Sequence, residues 1–172
     1  STFASCLGLY LLVADGEAGP EIYSAATKKD QAKIIWREAC SMIKKSIALN
    51  KNLDLRVSVI RSRFNEGSFE PLGSDSDKLD GLNVHGALID ELHALKDKNL
   101  YDVLIDGMTA REQPLCIITT TAGTVRDNIF DLKYDECERI IKGYDDSNGY
   151  RDETILPIVY ELDKRDEWTD SK

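Results

Sequence analysis

The chain has 172 residues, 42% of them hydrophobic, which is enough for one domain with a substantial core. Its 31 acidic residues outnumber its 22 Lys and Arg, and a net charge of −9 argues against a domain that holds nucleic acid by itself. No stretch approaches the roughly 18 apolar residues of a membrane helix, and residues 1–13 lack the basic region of a signal peptide. The four cysteines show no C-x-x-C spacing, which favours reduced thiols over disulfides or zinc.

The first third of the chain predicts a helix, a strand and a second helix. From Thr2 to Ala14 apolar side chains fall on every face, which is typical of a buried helix. Ile22 to Ala26 is a short apolar run and predicts a buried strand. Thr27 and Asp30 fit a capping box, and the helix after them carries one apolar stripe with lysines opposite.

The remaining elements alternate between strands and helices. Alternation over Leu55, Val57 and Val59 predicts a strand, followed by a hairpin between Phe64 and Phe69. Further strands are predicted at 84–89, 115–120 and 155–162, with helices at 98–105 and 128–143. We therefore expect a single α/β domain over residues 1–172 with a mostly parallel sheet.

Two of these strands end in polar groups suited to phosphate chemistry. Asp90 and Glu91 follow the apolar run Ala87-Leu88-Ile89, and Thr119, Thr120 and Thr121 close the next strand along the chain. Because ligands collect at the carboxyl ends of parallel strands, these groups are expected to face one site. Asp90 would hold Mg²⁺ directly or through water, Glu91 would orient the attacking water, and the threonines would bond the γ-phosphate. An ordinary helix N-terminus also favours acids, but two adjacent acids after an apolar strand point to function.

Other candidates carry weaker signals. His93 completes the string Asp90-Glu91-Leu92-His93, which resembles the D-E-x-H box of helicases, but an ordinary exposed histidine explains it equally well. Four arginines are candidate arginine fingers, although ordinary surface ion pairs explain each of them better. Arg111 is the best candidate because it precedes the threonine-tipped strand; the others are Arg61, Arg63 and Arg126.

The phosphate-cradling loop G-x-x-x-x-G-K-[ST] does not occur in this sequence. The chain begins Ser1-Thr2 and continues directly into the predicted buried helix, as a P-loop does after its Gly-Lys. We therefore expect a fragment that starts just past that lysine. Ser1, unless it is a cloning remnant, would then be the magnesium-binding hydroxyl.

The motifs together resemble the N-terminal ATPase domain of the large terminase subunit of tailed bacteriophages. They run in that family's order over nearly the whole chain: residues 23–32, 84–93, 111–115, 119–123, 160–163 and 166–168. The resemblance matches Asp90 and Glu91 to the Walker B pair, Thr119, Thr120 and Thr121 to the coupling motif, and Ser1 to the end of Walker A. It implies a P-loop NTPase-like fold that lacks its first, central strand, and it implies Mg²⁺ and ATP as cofactors of the parent protein.

The resemblance also implies a setting. The parent would be a ring-forming motor in the host bacterial cytoplasm that pumps double-stranded DNA into a procapsid, with the portal protein and a small terminase subunit as partners. The family's C-terminal nuclease domain is absent from this sequence, so DNA cleavage is not assigned. Losing a central strand would remove about 5–10 kcal/mol, comparable to the stability of a whole domain. We therefore expect the fragment to self-associate, for example as a dimer, and neither to bind ATP tightly nor to hydrolyse it.

Two alternatives stay open on the sequence alone. The first is a fragment of a superfamily-two helicase core, with residues 90–93 as its box; the acidic balance disfavours it. The second is a non-catalytic module whose acidic surface meets a partner.

Overall fold

A six-stranded mixed sheet is the main feature of the computed structural model, which describes residues 1–75, 79, 81–95, 98–123 and 128–161. The strands are β1 Glu21–Ala26, β2 Leu53–Leu55, β3 Ile60–Ser62, β4 Ser68–Gly73, β5 Val84–Asp90 and β6 Leu115–Thr119. The helices are α1 Thr2–Val13, α2 Lys29–Lys45, α3 Ile47–Asn52, α4 Asn99–Asp106 and α5 Ile129–Asp145, with a 3₁₀ turn at Leu92–Ala94. The chain divides into two compact units, Ser1–Ile129 and Phe130–Lys172. The prediction of a single domain over residues 1–172 stays a prediction.

The sheet has the order β2-β3-β4-β1-β5-β6. Strand β1 pairs in parallel with β4 and β5, and β5 pairs in parallel with β6. The two short strands β2 and β3 are antiparallel and extend the β4 side. The prediction of a mostly parallel α/β sheet is thus confirmed. The four parallel strands β4, β1, β5 and β6 end at the same edge of the sheet, which is where ligands collect in such sheets.

Helices α1 and α2 cover one face of the sheet because both present apolar residues at helical spacing. The shared core includes Leu12, Ile22, Ile35, Ile43, Phe69 and Leu88, each almost fully buried. Two polar side chains fasten the layer: the Ser5 hydroxyl donates to the Ile35 carbonyl at 2.8 Å, and the Trp36 indole N–H donates to the Phe69 carbonyl at 3.1 Å. These bonds satisfy the two buried side-chain donors and join α1 to α2 and α2 to β4.

Helix α1 was expected to be buried on every face, and that expectation is only partly met. Ala4, Leu9, Leu11 and Leu12 are buried, but Phe3 is 73% exposed and Tyr10 is 52% exposed. Its outer face thus remains open to solvent. Strand β6 is the edge strand of the described sheet, and Leu115 on it is 40% exposed.

Several predicted element boundaries are corrected. Thr27 is not the cap of α2, since Lys28 occupies that position and the Thr27 hydroxyl donates to the Gln31 side chain at 3.0 Å. The predicted strand over residues 55–59 is interrupted, because the Arg56 N–H bonds to the Val59 carbonyl and Val57 is 97% exposed in the turn. The hairpin that follows is present as β3 and β4.

The second unit contains nearly all of α5. The Tyr134 hydroxyl donates to the Glu161 carboxylate, and this bond raises the pKa of Tyr134 to about 12. The strand predicted over residues 155–162 is wrong for 155–161, which carry no strand; Leu162 lies outside the described residues. Leu156, Ile158 and Tyr160 are 85%, 66% and 95% exposed, so the alternating pattern has no neighbouring strand to pair with.

Two expectations about the chain's chemistry can be compared directly. All four cysteines are free, as predicted, although Cys6 is exposed rather than part of the core. In the part of the chain that the structure describes, no helix combines the length and apolarity that a bilayer crossing requires.

Candidate active site

The carboxyl ends of β1 and β5 border an open cavity of about 330 Å³. Its lining residues come from the end of β1, the first turns of α2, and the end of β5 with the turn that follows it: Ala26, Gln31, Ile34, Asp90, Glu91, His93 and Ala94. The cavity therefore lies at the edge where the sequence places its two acids.

Asp90 is the last residue of β5 and stands beside the end of β6. The parallel register pairs Asp90 with Thr119, and the Thr119 hydroxyl donates to Asp90 Oδ1 at 2.8 Å. This bond fixes the orientation of the carboxylate, and no other described residue forms a hydrogen bond with it. The predicted proximity of the Asp90 carboxylate to the threonine run is present in the structure.

Glu91 adopts a left-handed backbone conformation, with φ 56° and ψ 51°. A residue other than glycine in this region costs about 1–3 kcal/mol and is typical of functional sites. The Glu91 N–H bonds to the Thr119 carbonyl at 2.8 Å, which extends the β5–β6 ladder by one residue before the chain reverses into the 3₁₀ turn. The side chain of Glu91 is 45% exposed, so its carboxylate is accessible from the cavity.

His93 joins the acid pair to the second threonine. Its Nδ1 lies 3.1 Å from Glu91 Oε2 and 3.1 Å from the Thr120 hydroxyl. The Thr120 hydroxyl also accepts the His93 N–H at 3.1 Å and donates to the Thr121 carbonyl at 3.1 Å. Since an ionised Glu91 can only accept and the Thr120 proton is already used, Nδ1 must carry the proton in this arrangement. His93 therefore links Glu91 to the threonine loop.

Gly123 closes this loop against the histidine. A Cβ at Gly123 would lie 2.8 Å from the Cβ of His93, so only glycine allows the loop to pass so close. The Asn128 side-chain amide also donates to the His93 carbonyl, at 3.3 Å. Close packing against His93 therefore requires glycine at the last position of Thr-Thr-Thr-Ala-Gly.

Ser1 lies at the start of α1 and is exposed, and its carbonyl accepts the Ser5 N–H at 2.9 Å. The far end of α1 meets the start of β5, because the Asp15 carboxylate lies 2.7 Å from His85 Nε2. Further along β5, Gly86 faces Leu11 and Leu88 faces Gly8, so α1 runs antiparallel to β5 and its Ser1 end is directed toward the carboxyl edge of the sheet. The magnesium-binding role predicted for Ser1 stays a prediction.

The arginine-finger role predicted for Arg111 stays a prediction, and the structure shows a different set of contacts for this residue. The Arg111 side chain is only 6% exposed and forms an ion pair with Glu17 at 2.7 Å. It also donates to the carbonyls of Ala18, Gly19 and Asn83 at 3.0, 2.8 and 3.0 Å. These partners precede β1 and β5, at the opposite edge of the sheet from Asp90. Arg111 is a clamp between two loops; Arg126 lies outside the described residues.

Gln31 and Ile34 are cavity residues that the sequence analysis did not identify. Both stand on the first two turns of α2, which begins three residues after β1 ends. The carboxyl-end rule could have identified them if it had been applied to β1, because a helix that follows a parallel strand starts at the edge where that strand ends.

The model of the terminase large subunit, ATPase domain family matches residues 1–139. The chain belongs to this family. As a terminase ATPase domain it has the fold and the order of motifs that the sequence predicts. The helicase alternative is not favoured.

The chain is also similar to a curated protein and to solved structures. Protein YmfN of Escherichia coli (strain K12) is 36% identical over 91 residues, which cover 53% of this chain and 19% of that protein. The crystal structure of the HK97 bacteriophage large terminase is 20% identical with a TM-score of 0.70, covering 83% of this chain and 30% of that one. The large terminase ATPase domain of Thermus phage P74-26 is 15% identical with a TM-score of 0.60, covering 87% and 61%. The terminase chain thus spans 19% of YmfN and 30% of the HK97 protein, and the two structural matches show the fold alone.

The terminase site has donors that fit Mg²⁺. Within the described residues, no group of three or more His, Cys, Asp or Glu could hold a metal by protein ligands alone. Mg²⁺ binds through one or two carboxylates and completes its octahedron with water and phosphate oxygens. The Asp90 carboxylate, oriented by Thr119, and the half-exposed Glu91 carboxylate match that requirement.

Proposed function

We propose that the chain forms the ATP-hydrolysing part of a phage DNA-packaging motor, with Asp90 and Glu91 at its catalytic centre. The observation that carries this proposal is the convergence of Asp90, Glu91, Thr119 and Thr120 at the carboxyl ends of β5 and β6. Hydrolysis of a γ-phosphate needs a carboxylate that holds Mg²⁺ and a residue that positions the attacking water. Asp90, held by Thr119, and Glu91, a strained residue at the open cavity, are suited to these two roles.

Each residue has a distinct part in the proposed reaction. Asp90 would hold Mg²⁺, directly or through water, and Thr119 keeps its carboxylate in place. Bound Mg²⁺ would neutralise charge on the β- and γ-phosphates. Glu91 accepts a proton from the attacking water, and His93 Nδ1–H holds the carboxylate in position.

The threonine loop would report the state of the site. The hydroxyl of Thr120 is bonded to His93, and the backbone of Thr119 is bonded to Glu91. A movement of the acid pair on phosphate loss would therefore reach the loop through two hydrogen bonds. Thr121, which is exposed, completes the proposed coupling motif.

The proposal includes the setting of the parent protein: a ring in the host cytoplasm acting on double-stranded DNA, with the portal protein and the small terminase subunit as partners. It also includes inactivity of the 172-residue chain by itself, because its sequence contains no G-x-x-x-x-G-K-[ST] loop. ATP turnover by the isolated chain, abolished by Glu91→Gln, would overturn that part of the proposal.

The test is steady-state ATP turnover by the terminase subunit that contains this chain. Glu91→Gln is expected to lower kcat by about 10² to 10⁴ while nucleotide binding is retained, since only the proton acceptor is lost. Glu112→Gln is the matched control, because Glu112 is an exposed acid at the opposite end of the fold next to Arg111. Equal activity of the two variants would instead favour a non-catalytic acidic module.

A further inference from the structure

The charge of this acidic chain is distributed unevenly along the sequence. Residues 28–63, which include α2, α3, β2 and β3, contain ten Lys and Arg against three Asp and Glu, a formal charge of +7. The rest of the chain carries −16, which gives the total of −9. A net negative charge therefore hides a segment with the composition of a polyanion-binding surface.

Three of these cations line one groove of about 540 Å³ between α2 and β2. Arg37 and Lys44 stand seven residues apart on the same side of α2, and Arg56 follows β2 directly. The other lining residues are uncharged: Trp36, Cys40, Ser41 and Leu55. A groove with three cations and no carboxylate in its lining is a concentrated positive site.

Most of this charge is free to meet a ligand. Arg37 and Lys44 are exposed and, among the described residues, neither has an ion pair. Arg56 lies 3.2 Å from Asp54, but its side chain is 65% exposed, so this surface pair is weak and readily exchanged. The three cations sit on a helix and beside a strand, which fixes their spacing.

We propose that this groove, formed by Arg37, Lys44 and Arg56, binds the phosphate backbone of double-stranded DNA. Binding of single strands would require exposed aromatic rings for stacking, but Trp36 is only 8% exposed and its indole N–H is bonded to the Phe69 carbonyl. A protein partner would require an exposed apolar centre, but the apolar residues of this lining are Trp36 and Cys40, each only 8% exposed, and half-buried Leu55. Phosphate contacts by cations alone suit a motor that must move along any sequence.

The groove and the nucleotide cavity share a helix. The first turns of α2 supply Gln31 and Ile34 to the cavity, and its later turns supply Arg37 and Lys44 to the groove. Both sites belong to the compact unit Ser1–Ile129. This inference deepens the proposed function by naming the surface that contacts DNA, and its test uses no nucleotide, so it can fail while ATP hydrolysis stands.

The test is fluorescence anisotropy of a labelled DNA duplex titrated with the 172-residue chain at several salt concentrations. Three phosphate contacts predict a slope of log K against log salt of about −2.7, or a loss of about 40-fold between about 50 and 200 mM salt. Arg37→Gln/Lys44→Gln leaves one contact, so its slope should fall to about −0.9 and its loss to about 3-fold to 4-fold. Arg56→Gln alone should reduce the slope by about one.

The matched control is Lys98→Gln/Lys142→Gln, which removes the same charge from lysines that are 69% and 71% exposed elsewhere. It should keep the wild-type slope. The proposal is overturned if the wild-type chain does not bind the duplex, if the groove variants bind like wild type, or if the control loses as much. Light scattering that shows self-association lost in the groove variants, without DNA binding, would assign the groove to an acidic surface of a second copy instead.

Discussion

Replacing Arg111 by Met is expected to destabilise the unit Ser1–Ile129, even though Arg111 lies at the opposite edge of the sheet from the acids. The guanidinium joins the loop before β1 to the loop before β5 through Glu17 and three main-chain carbonyls. Methionine keeps the length of the side chain and removes every one of these bonds. The two loops would lose the connection that the Arg111 side chain makes between them.

The magnitude follows from burial and bond number. Breaking a buried pair by removing one partner costs about 3–5 kcal/mol, and the Arg111 side chain is 6% exposed. Glu17 is 25% exposed and can recover some hydration, which favours the lower part of that range. About 3 kcal/mol corresponds to a fall of about 6–12 °C in Tm for a chain of this size. Arg111→Lys retains the charge but loses the planar fork, so we expect an intermediate loss.

The assay is urea unfolding followed by Trp36 fluorescence in a Trp168→Phe background, since the chain has only these two tryptophans. Trp36 lies in the core of the first unit, so its signal reports that unit alone. Arg61→Met is the control, because Arg61 is 49% exposed and 3.8 Å from Glu70 and should contribute less than about 1 kcal/mol. A loss below about 1 kcal/mol for Arg111→Met, or one equal to that of Arg61→Met, would refute the clamp.

Three further predictions concern other parts of the described fold. Gly8→Ala should lower stability by about 1–3 kcal/mol, because its Cβ would lie 2.8 Å from Leu88 Cδ1, and a higher Tm on thermal unfolding would contradict this. Burial raises the pKa of the Cys40 thiol, so a smaller fraction of Cys40 is thiolate, the reactive form, at about pH 8. Iodoacetamide should therefore modify exposed Cys6 first, and equal modification rates of the two cysteines by mass spectrometry would contradict this. Ring ¹⁵N shifts of His93 should place a proton on Nδ1, and a resting ring protonated only on Nε2 would exclude the contact proposed with Glu91.

The central strands were predictable because burial on both faces leaves a clear record in sequence. Strands β1 and β5 are apolar runs bounded by polar residues, and their observed limits differ from the predicted ones by one residue. The alternation at Leu55, Val57 and Val59 was misleading, because the chain turns at Val57 and leaves that side chain exposed. Alternation describes a strand only where a neighbouring strand supplies backbone partners.

The site was predictable in outline and not in detail. The carboxyl-end rule brought Asp90 next to Thr119 from sequence alone. The left-handed backbone of Glu91 and the contact between His93 and Thr120 depend on how the chain reverses after β5, which no local pattern records. The partners of Arg111 lie as far as 94 residues away in sequence, so its clamp could emerge only from the tertiary structure. The net charge of the whole chain likewise concealed its basic segment.

The most direct test of the account is a crystal structure of the parent terminase with a non-hydrolysable ATP analogue and Mn²⁺ in place of Mg²⁺. Anomalous scattering would locate the ion without assumptions about the density. The account predicts Mn²⁺ either bound to Asp90 at about 2.2 Å or joined to it by one water, with Glu91 in contact with a water in line with the γ-phosphate. An ion separated from both carboxylates by more than one bridging water would contradict the assignment of Asp90 and Glu91.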